Sequence, residues 1–203
     1  MTGKQNILVI MGSPRKGNTY RKCKELCDLV RKEVPIEVEY LWLKDQNLLA
    51  CKGCLSCFSR GEETCPNHDD APLIEQKMRD ADMILFASPV YGMNVTGQMK
   101  IFIDRFSYIF HRPRFFEKKA FLLVTTGVLG HSEVLEYLDD VARLWGFEIA
   151  GAAGFITPIP TPRRQEEKNR KALKQAAAEC AAALRRPTRK SPGLKDLIRF
   201  HGQ

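Results

Sequence analysis

The chain holds 203 residues, 44% of them apolar and 9% aromatic, enough to bury one sizeable core but short for two, so a single domain over 1–186 with a tail at 187–203 is expected. The formal charge of +8 sits at one end: residues 163–203 carry 12 Lys/Arg and 4 Asp/Glu, while the other 162 residues hold 20 of each sign, which reads as a solvated or packing face rather than a nucleic-acid site. The apolar run Ile7 to Met11 is too short for a bilayer span or a secretory signal, which points to a cytoplasmic protein with no membrane partner.

Asn6 to Met11 reads as a continuous apolar strand. Tyr20, Cys23, Cys27, Val30 and Val34 recur at helical spacing and predict an amphipathic helix over 19–33, with Cys23 and Cys27 as small core residues. Ile36 to Leu43 alternates and forms the second strand, and residues 44–70 make a long connection with a cysteine-rich insert at 48–68; loops of that length are usually functional or disordered. A short helix over 71–80, capped by Asp69 and Asp70, leads to a third strand at Met83 to Ala87. Val95, Met99, Phe102, Ile103 and Phe106 mark the next helix, and Ala120 to Thr125 the fourth strand. Glu133 to Trp145 is a helix capped by Ser132, Phe147 to Ile156 the fifth strand, and Thr161-Pro162 opens a last helix to Arg185. The tail carries one amphipathic piece, Leu194 to Phe200, suited to packing on a neighbouring subunit, and deleting 187–203 is expected to leave ligand binding by the five-strand unit unchanged. Five strands alternating with helices predict an α/β fold with a doubly wound, five-stranded parallel sheet, followed by a basic C-terminal helix and tail. Ligands of such sheets bind outside the carboxyl ends of the strands, so the loops after strands one, three and four matter most.

After strand one, Gly12-Ser13-Pro14-Arg15-Lys16-Gly17-Asn18-Thr19 runs straight into a helix. Its spacing approaches a P-loop, but Asn18 stands where a nucleotide triphosphatase needs lysine, so triphosphate hydrolysis is not expected. What remains suits one phosphate: the Ser13 and Thr19 hydroxyls, the Arg15 guanidinium and free N–H groups at a helix N-terminus. The alternative is an ordinary strand-to-helix turn capped by Asn18. After strand three, Ser88-Pro89-Val90-Tyr91-Gly92-Met93-Asn94 offers Tyr91 and Met93 as surface for a ring system and Gly92 for close backbone approach. After strand four, Thr125-Thr126-Gly127-Val128-Leu129-Gly130 gives a third polar loop.

Together these segments resemble the NADPH-dependent FMN reductase family of the flavodoxin-like fold. Its G-S-P-R-x-x-N-T loop binds the FMN phosphate, and its S-P-V-Y segment, ending K-x-F-I-D-R, holds the isoalloxazine; here that ending is Lys100-Ile101-Phe102-Ile103-Asp104-Arg105. The resemblance, over residues 5–155, implies Ser13, Arg15, Asn18 and Thr19 for the phosphate. It implies Pro89, Val90, Tyr91, Gly92, Met93 and Asn94 for the ring, and Thr126 with Gly127 for its far edge. The phosphate loop is one residue shorter than the commonest form, which affects Lys16 more than Ser13. The implied activity is reduction of FMN by NAD(P)H or a ferredoxin and transfer to a small acceptor such as a quinone, nitroaromatic or free flavin, with no protein acid or base required. A flavodoxin-type electron carrier without its own substrate is the alternative. The resemblance also implies a homodimer or homotetramer.

Seven cysteines, four of them crowded into 51–65, do not read as a disulfide framework. Cys51, Cys54, Cys57 and Cys65 form C-x2-C-x2-C-x7-C-P. The run resembles that of 4Fe-4S ferredoxins, although their last gap is shorter, whereas zinc sites use two separate pairs. It is similar to the motif of the iron-sulfur flavoprotein branch of the same family, which implies a 4Fe-4S cluster near FMN. Relatives without a cluster carry such loops as free thiols or disulfides, and both outcomes stand open. Strand two delivers this loop to the carboxyl edge, so the cysteines are expected within reach of the flavin. His68, His111, His131 and His201 show no metal-site spacing.

Overall fold

A computed structural model describes residues 3–186; the basic tail and its Leu194–Phe200 piece lie outside them. In chain order the elements are β1 (Gln5–Met11), α1 (Asn18–Arg31), β2 (Ile36–Trp42), α2 (Ser56–Ser59), α3 (Ala71–Asp80), β3 (Met83–Pro89), α4 (Gly97–Arg105), β4 (Lys119–Thr126), α5 (His131–Leu144), β5 (Glu148–Ile156) and α6 (Arg163–Arg185). All five strands are parallel, in the order β2-β1-β3-β4-β5. The predicted doubly wound, flavodoxin-like sheet is therefore the fold observed.

Successive side chains point to opposite faces of a strand, and each strand of the sheet's centre feeds two cores. Leu8 and Ile10 of β1, Ile84 and Phe86 of β3 and Leu122 and Val124 of β4 pack under α3, α4 and α5. Ile7, Val9 and Met11, with Leu85 and Leu123, meet the apolar stripes of α1 and α6 on the other face. Cys23, Leu26, Cys27 and Val30 form the α1 stripe, all 2% exposed or less, and each fully buried Leu or Val contributes about 1.5–3 kcal/mol. Trp145, fully buried, meets the rings of Phe86, Phe102, Phe106 and Phe110 and anchors α4 beneath the sheet. No helix among the described residues is long and apolar enough to cross a membrane.

Two local expectations and one alternative differ. The residue at the N-cap of α5 is Gly130, at φ +88°, so Ser132 lies inside the first turn and is not the cap. Asp70 occupies the N-cap of α3 but makes no capping bond with its side chain; its carboxylate accepts from the Asn47 N–H at 2.7 Å instead. Gly17, not Asn18, is the N-cap of α1. In each case a partner distant in sequence, or a left-handed backbone, competes successfully with the local cap.

Candidate functional site

Sheet order reverses between β1 and β3, and the loops after these strands open a crevice at the carboxyl edge. Gly12 shapes its floor: its N–H donates to the Ala87 carbonyl at 2.8 Å. A Cβ at Gly12 would stand 3.1–3.2 Å from Met99 and the Ala87 oxygen, so only glycine fits without displacement. Thr96 caps α4 by accepting from the Met99 N–H at 3.2 Å, and its hydroxyl donates to the Gly12 carbonyl at 2.7 Å. The start of the helix after β3 is thereby fastened to the loop after β1.

A cleft of about 360 Å³ joins the expected loops. Ser13, Arg15, Asn18 and Thr19 line it together with Pro89, Val90, Tyr91, Thr126 and Gly127. Gly92, Met93 and Asn94 stand apart from that lining, at the tip of a turn in which Tyr91 and Asn94 exchange backbone hydrogen bonds of 2.8 and 3.0 Å. Gly92 and Met93 both have positive φ, +54° and +66°, the backbone of a tight primed turn. The cleft also includes Thr125, Thr157, Pro158 and Ile159. The loop after β5 is absent from the sequence-derived set, and its only local signal is the proline-spaced run Thr157-Pro158-Ile159-Pro160.

Most hydroxyls here already have partners. The Ser13 hydroxyl donates to the Arg15 carbonyl at 2.9 Å and folds the loop upon itself. Thr19 and Thr125 share a buried hydrogen bond of 2.7 Å, joining α1 to β4. The Asn18 amide donates to the Thr157 hydroxyl at 2.8 Å, and its oxygen accepts from Arg21. Thr126 donates to the Leu129 carbonyl at 2.6 Å and shapes its own loop. The N-terminus of α1, by contrast, has no side-chain cap and no acid in its first turn. Its first N–H groups are thus open to an anion, and the Arg15 side chain beside them is exposed.

The cysteine loop forms a second, separate cavity. Cys51, Cys54, Cys57 and Cys65 are all free thiols and all line one space of about 70 Å³, with Lys52 and Arg105. The backbone bends sharply around it, with left-handed φ at Gly53, Leu55 and Gly61 of +64°, +60° and +103°. Ser56 beside Cys54 holds its thiol below the ordinary value, whereas burial pushes Cys57 up. Among the described residues no three His, Cys, Asp or Glu side chains stand close enough together to hold a metal ion. This cavity shares no lining residue with the cleft. The loop after β3 leads into α4 at Gly97 and Arg105 ends the helix, eight residues on, a rise of about 12 Å. The cysteine cavity is thus distinct from the cleft of the same chain, with Arg105 at the C-terminal end of α4 in its wall.

The sequence pattern of the NADPH-dependent FMN reductase family matches residues 5–158. An iron-sulfur flavoprotein of Archaeoglobus fulgidus is 33% identical over 192 residues, covering 93% of this chain and 84% of its own. An iron-sulfur flavoprotein of Methanocaldococcus jannaschii is 40% identical over 100 residues, 49% of this chain and 50% of the relative. An azoreductase from Bacillus anthracis shares the fold, with a TM-score of 0.68 over 88% of this chain and 99% of its own at 14% identity. With the family pattern running from β1 to the loop after β5, the chain belongs to the NADPH-dependent FMN reductase family and is an oxidoreductase of flavodoxin-like fold.

Proposed function

We propose that the cleft binds FMN, with the phosphate at the N-terminus of α1 and the ring between the loops after β3 and β4, and that the protein passes electrons from NAD(P)H to a small acceptor. The observation that carries this reading is the uncapped, acid-free start of α1 opening into a cleft that three separate βα loops share. Backbone N–H groups of the first turn and the Arg15 guanidinium hold the phosphate. The Ser13 and Asn18 side chains, tied to the Arg15 carbonyl and Thr157, keep the loop in the shape that presents those N–H groups. Pro89, Val90 and Tyr91 give the ring an apolar wall and keep water from one face. When bound, FMN supplies the two-electron chemistry, and the protein supplies position and hydrogen bonds.

The four cysteines are assigned to a 4Fe-4S cluster. Three observations support it: the C-x2-C-x2-C-x7-C spacing, the single cavity that all four line with no carboxylate or imidazole among its walls, and relatives that are iron-sulfur flavoproteins. Such a soft donor set suits iron-sulfur chemistry, and Lys52 and Arg105 favour thiolates. Cys51 and Cys54 are exposed and Cys57 and Cys65 half-buried, and all four would be the ligands. A ferredoxin is then an alternative donor. The exposed Tyr91, Met93, Val128, Leu129 and Ile159 near the cleft suit burial between copies in a homodimer or homotetramer, which light scattering tests.

Anaerobic purification with an absorption spectrum, flavin and iron assays, and steady-state NAD(P)H oxidation tests these assignments together. Exchanging Ser13 and Asn18 for Ala is expected to weaken FMN binding by about 1–3 kcal/mol; unchanged affinity puts the phosphate elsewhere. A cluster gives about four iron and four sulfide per chain. FMN at full occupancy without iron removes the cluster and leaves the reductase reading intact.

A further inference from the structure

No residue from 44 to 66 is buried, although Leu48 and Cys57 pack against the edge of the core, so the cysteine loop depends largely on polar ties. Its tip is held by Arg112, which donates to the Cys57 carbonyl and pairs with Glu62 at 3.5 Å, and by Arg114, which also pairs with Glu62; a second set of ties holds its neck. The Asp69 carboxylate accepts from the Leu49 N–H at 3.0 Å, on the way into the loop, and from the Ala71 N–H at 3.2 Å, on the way out. Asn67 donates from its amide to the Ala50 carbonyl at 2.9 Å, and the Asp70 N–H donates to the Asn47 carbonyl at 3.0 Å. Arg105 fixes this neck to α4 with a fork: Nε donates to Asp69 Oδ2 at 2.9 Å and Nη2 to Oδ1 at 2.8 Å. The two side chains are 7% and 0% exposed. The same Arg105 lines the cavity that the four cysteines share.

We infer that Arg105 is a positioning residue, whose fork to Asp69 sets the cysteine loop in the arrangement that turns Cys57 and Cys65 toward their shared cavity. The inference rests on the reading of that loop as a redox site. A buried ion pair is weak evidence for stability, because desolvation offsets much of its attraction. A bidentate fork has one geometry, however, and here it joins the neck of that loop to a rigid helix. Through Thr96 and Gly12, bonded at 2.7 Å, that helix is continuous with the flavin cleft, so the fork also sets where the thiols stand relative to the cleft.

The test is the rate at which each cysteine of FMN-loaded, iron-free protein reacts with iodoacetamide, read residue by residue by mass spectrometry. The variant is Arg105→Gln with Asp69→Asn, which removes both charges and strands neither. Cys23, Cys27 and Cys180, at 0%, 2% and 2% exposure, report global unfolding in the same sample. The expected result is labelling of Cys57 and Cys65 faster by about tenfold, as for a local opening, with the three core cysteines unchanged. Arg105→Lys alone, keeping the charge without the fork, is expected to fall between. Unchanged labelling of Cys57 and Cys65, or a parallel rise in the core cysteines, overturns the inference. Since the protein is iron-free, the result holds whether or not the wild type takes up iron, so the two readings fail separately.

Discussion

Gly17→Asp separates the two properties of the N-terminus of α1. Gly17 sits at the N-cap with φ −94° and ψ −149°, a backbone open to any residue, and a Cβ there meets nothing nearer than Arg15 Nε at 3.6 Å. The helix has no side-chain cap and no acid in its first turn, and Asp supplies both. A cap is worth a few tenths of a kcal/mol over glycine, and the charge against the helix dipole about 0.3–1 kcal/mol. The flavin-free protein should therefore melt higher by about 1–4 °C for a chain of this size. The same carboxylate occupies the N–H groups that the phosphate needs and repels it. Two unit charges about 4 Å apart repel by about 4 kcal/mol at an effective dielectric near 20. With half of that screened in an open cleft, FMN binds about 2 kcal/mol, or roughly thirtyfold, more weakly. Thermal melts of the flavin-free protein and fluorescence titration with FMN measure the two effects. Gly17→Asn, an equal cap without charge, isolates the electrostatic part. A higher melting temperature with unaltered FMN affinity would refute the phosphate assignment; a lower one would refute the capping argument.

Tyr108→Phe removes the 2.6 Å hydrogen bond to the Glu75 carboxylate, which keeps Arg79 and Arg114, and should cost about 1–2 kcal/mol in urea unfolding; no loss would mean that the hydroxyl contributes nothing net. Gly12→Ala forces Met99 or the Ala87 carbonyl aside and should destabilise by about 1–3 kcal/mol, with wild-type stability showing that the crevice floor yields freely. Burial pushes the Asp69 and Glu75 carboxyls up, but Arg105 and two backbone N–H groups around Asp69, and Tyr108, Arg79 and Arg114 around Glu75, outweigh it and hold both below the ordinary range. Their stabilisation is complete above the unfolded values of about 3.9 and 4.3 and is lost as pH falls through the folded ones. The urea midpoint should thus hold from about pH 7 to 5 and drop below about pH 4, less steeply in Arg105→Gln with Asp69→Asn; an equal slope would place the acid sensitivity elsewhere.

Much of this fold is legible in the chain because its signals are local. A run such as Ile7 to Met11 excludes water on both faces, and the spacing of Cys23, Cys27 and Val30 repeats within a few residues, so both can be read without knowing their neighbours. The strand-to-helix loops at Gly12 and Ser88 carry their turn and phosphate chemistry in consecutive residues for the same reason. Tertiary structure decides the rest, because a polar group chooses its partner by proximity in space. Thr157 enters the cleft only because β5 lies beside β4, where Asn18 reaches it across 139 residues. Asp69, a helix cap by spacing alone, accepts from the Ala71 and Leu49 N–H groups but shares the same two oxygens with Arg105, 36 residues on. The cysteine spacing identifies a set of soft donors, but where that set stands depends on arginines distant in sequence, Arg105 at the neck and Arg112 and Arg114 at the tip. The run from Cys51 to Cys65 supplies Glu62 and the Cys57 carbonyl to those ties, but Arg112 lies 55 residues beyond Cys57 and Arg114 lies 52 beyond Glu62, so the partners meet only in the folded chain.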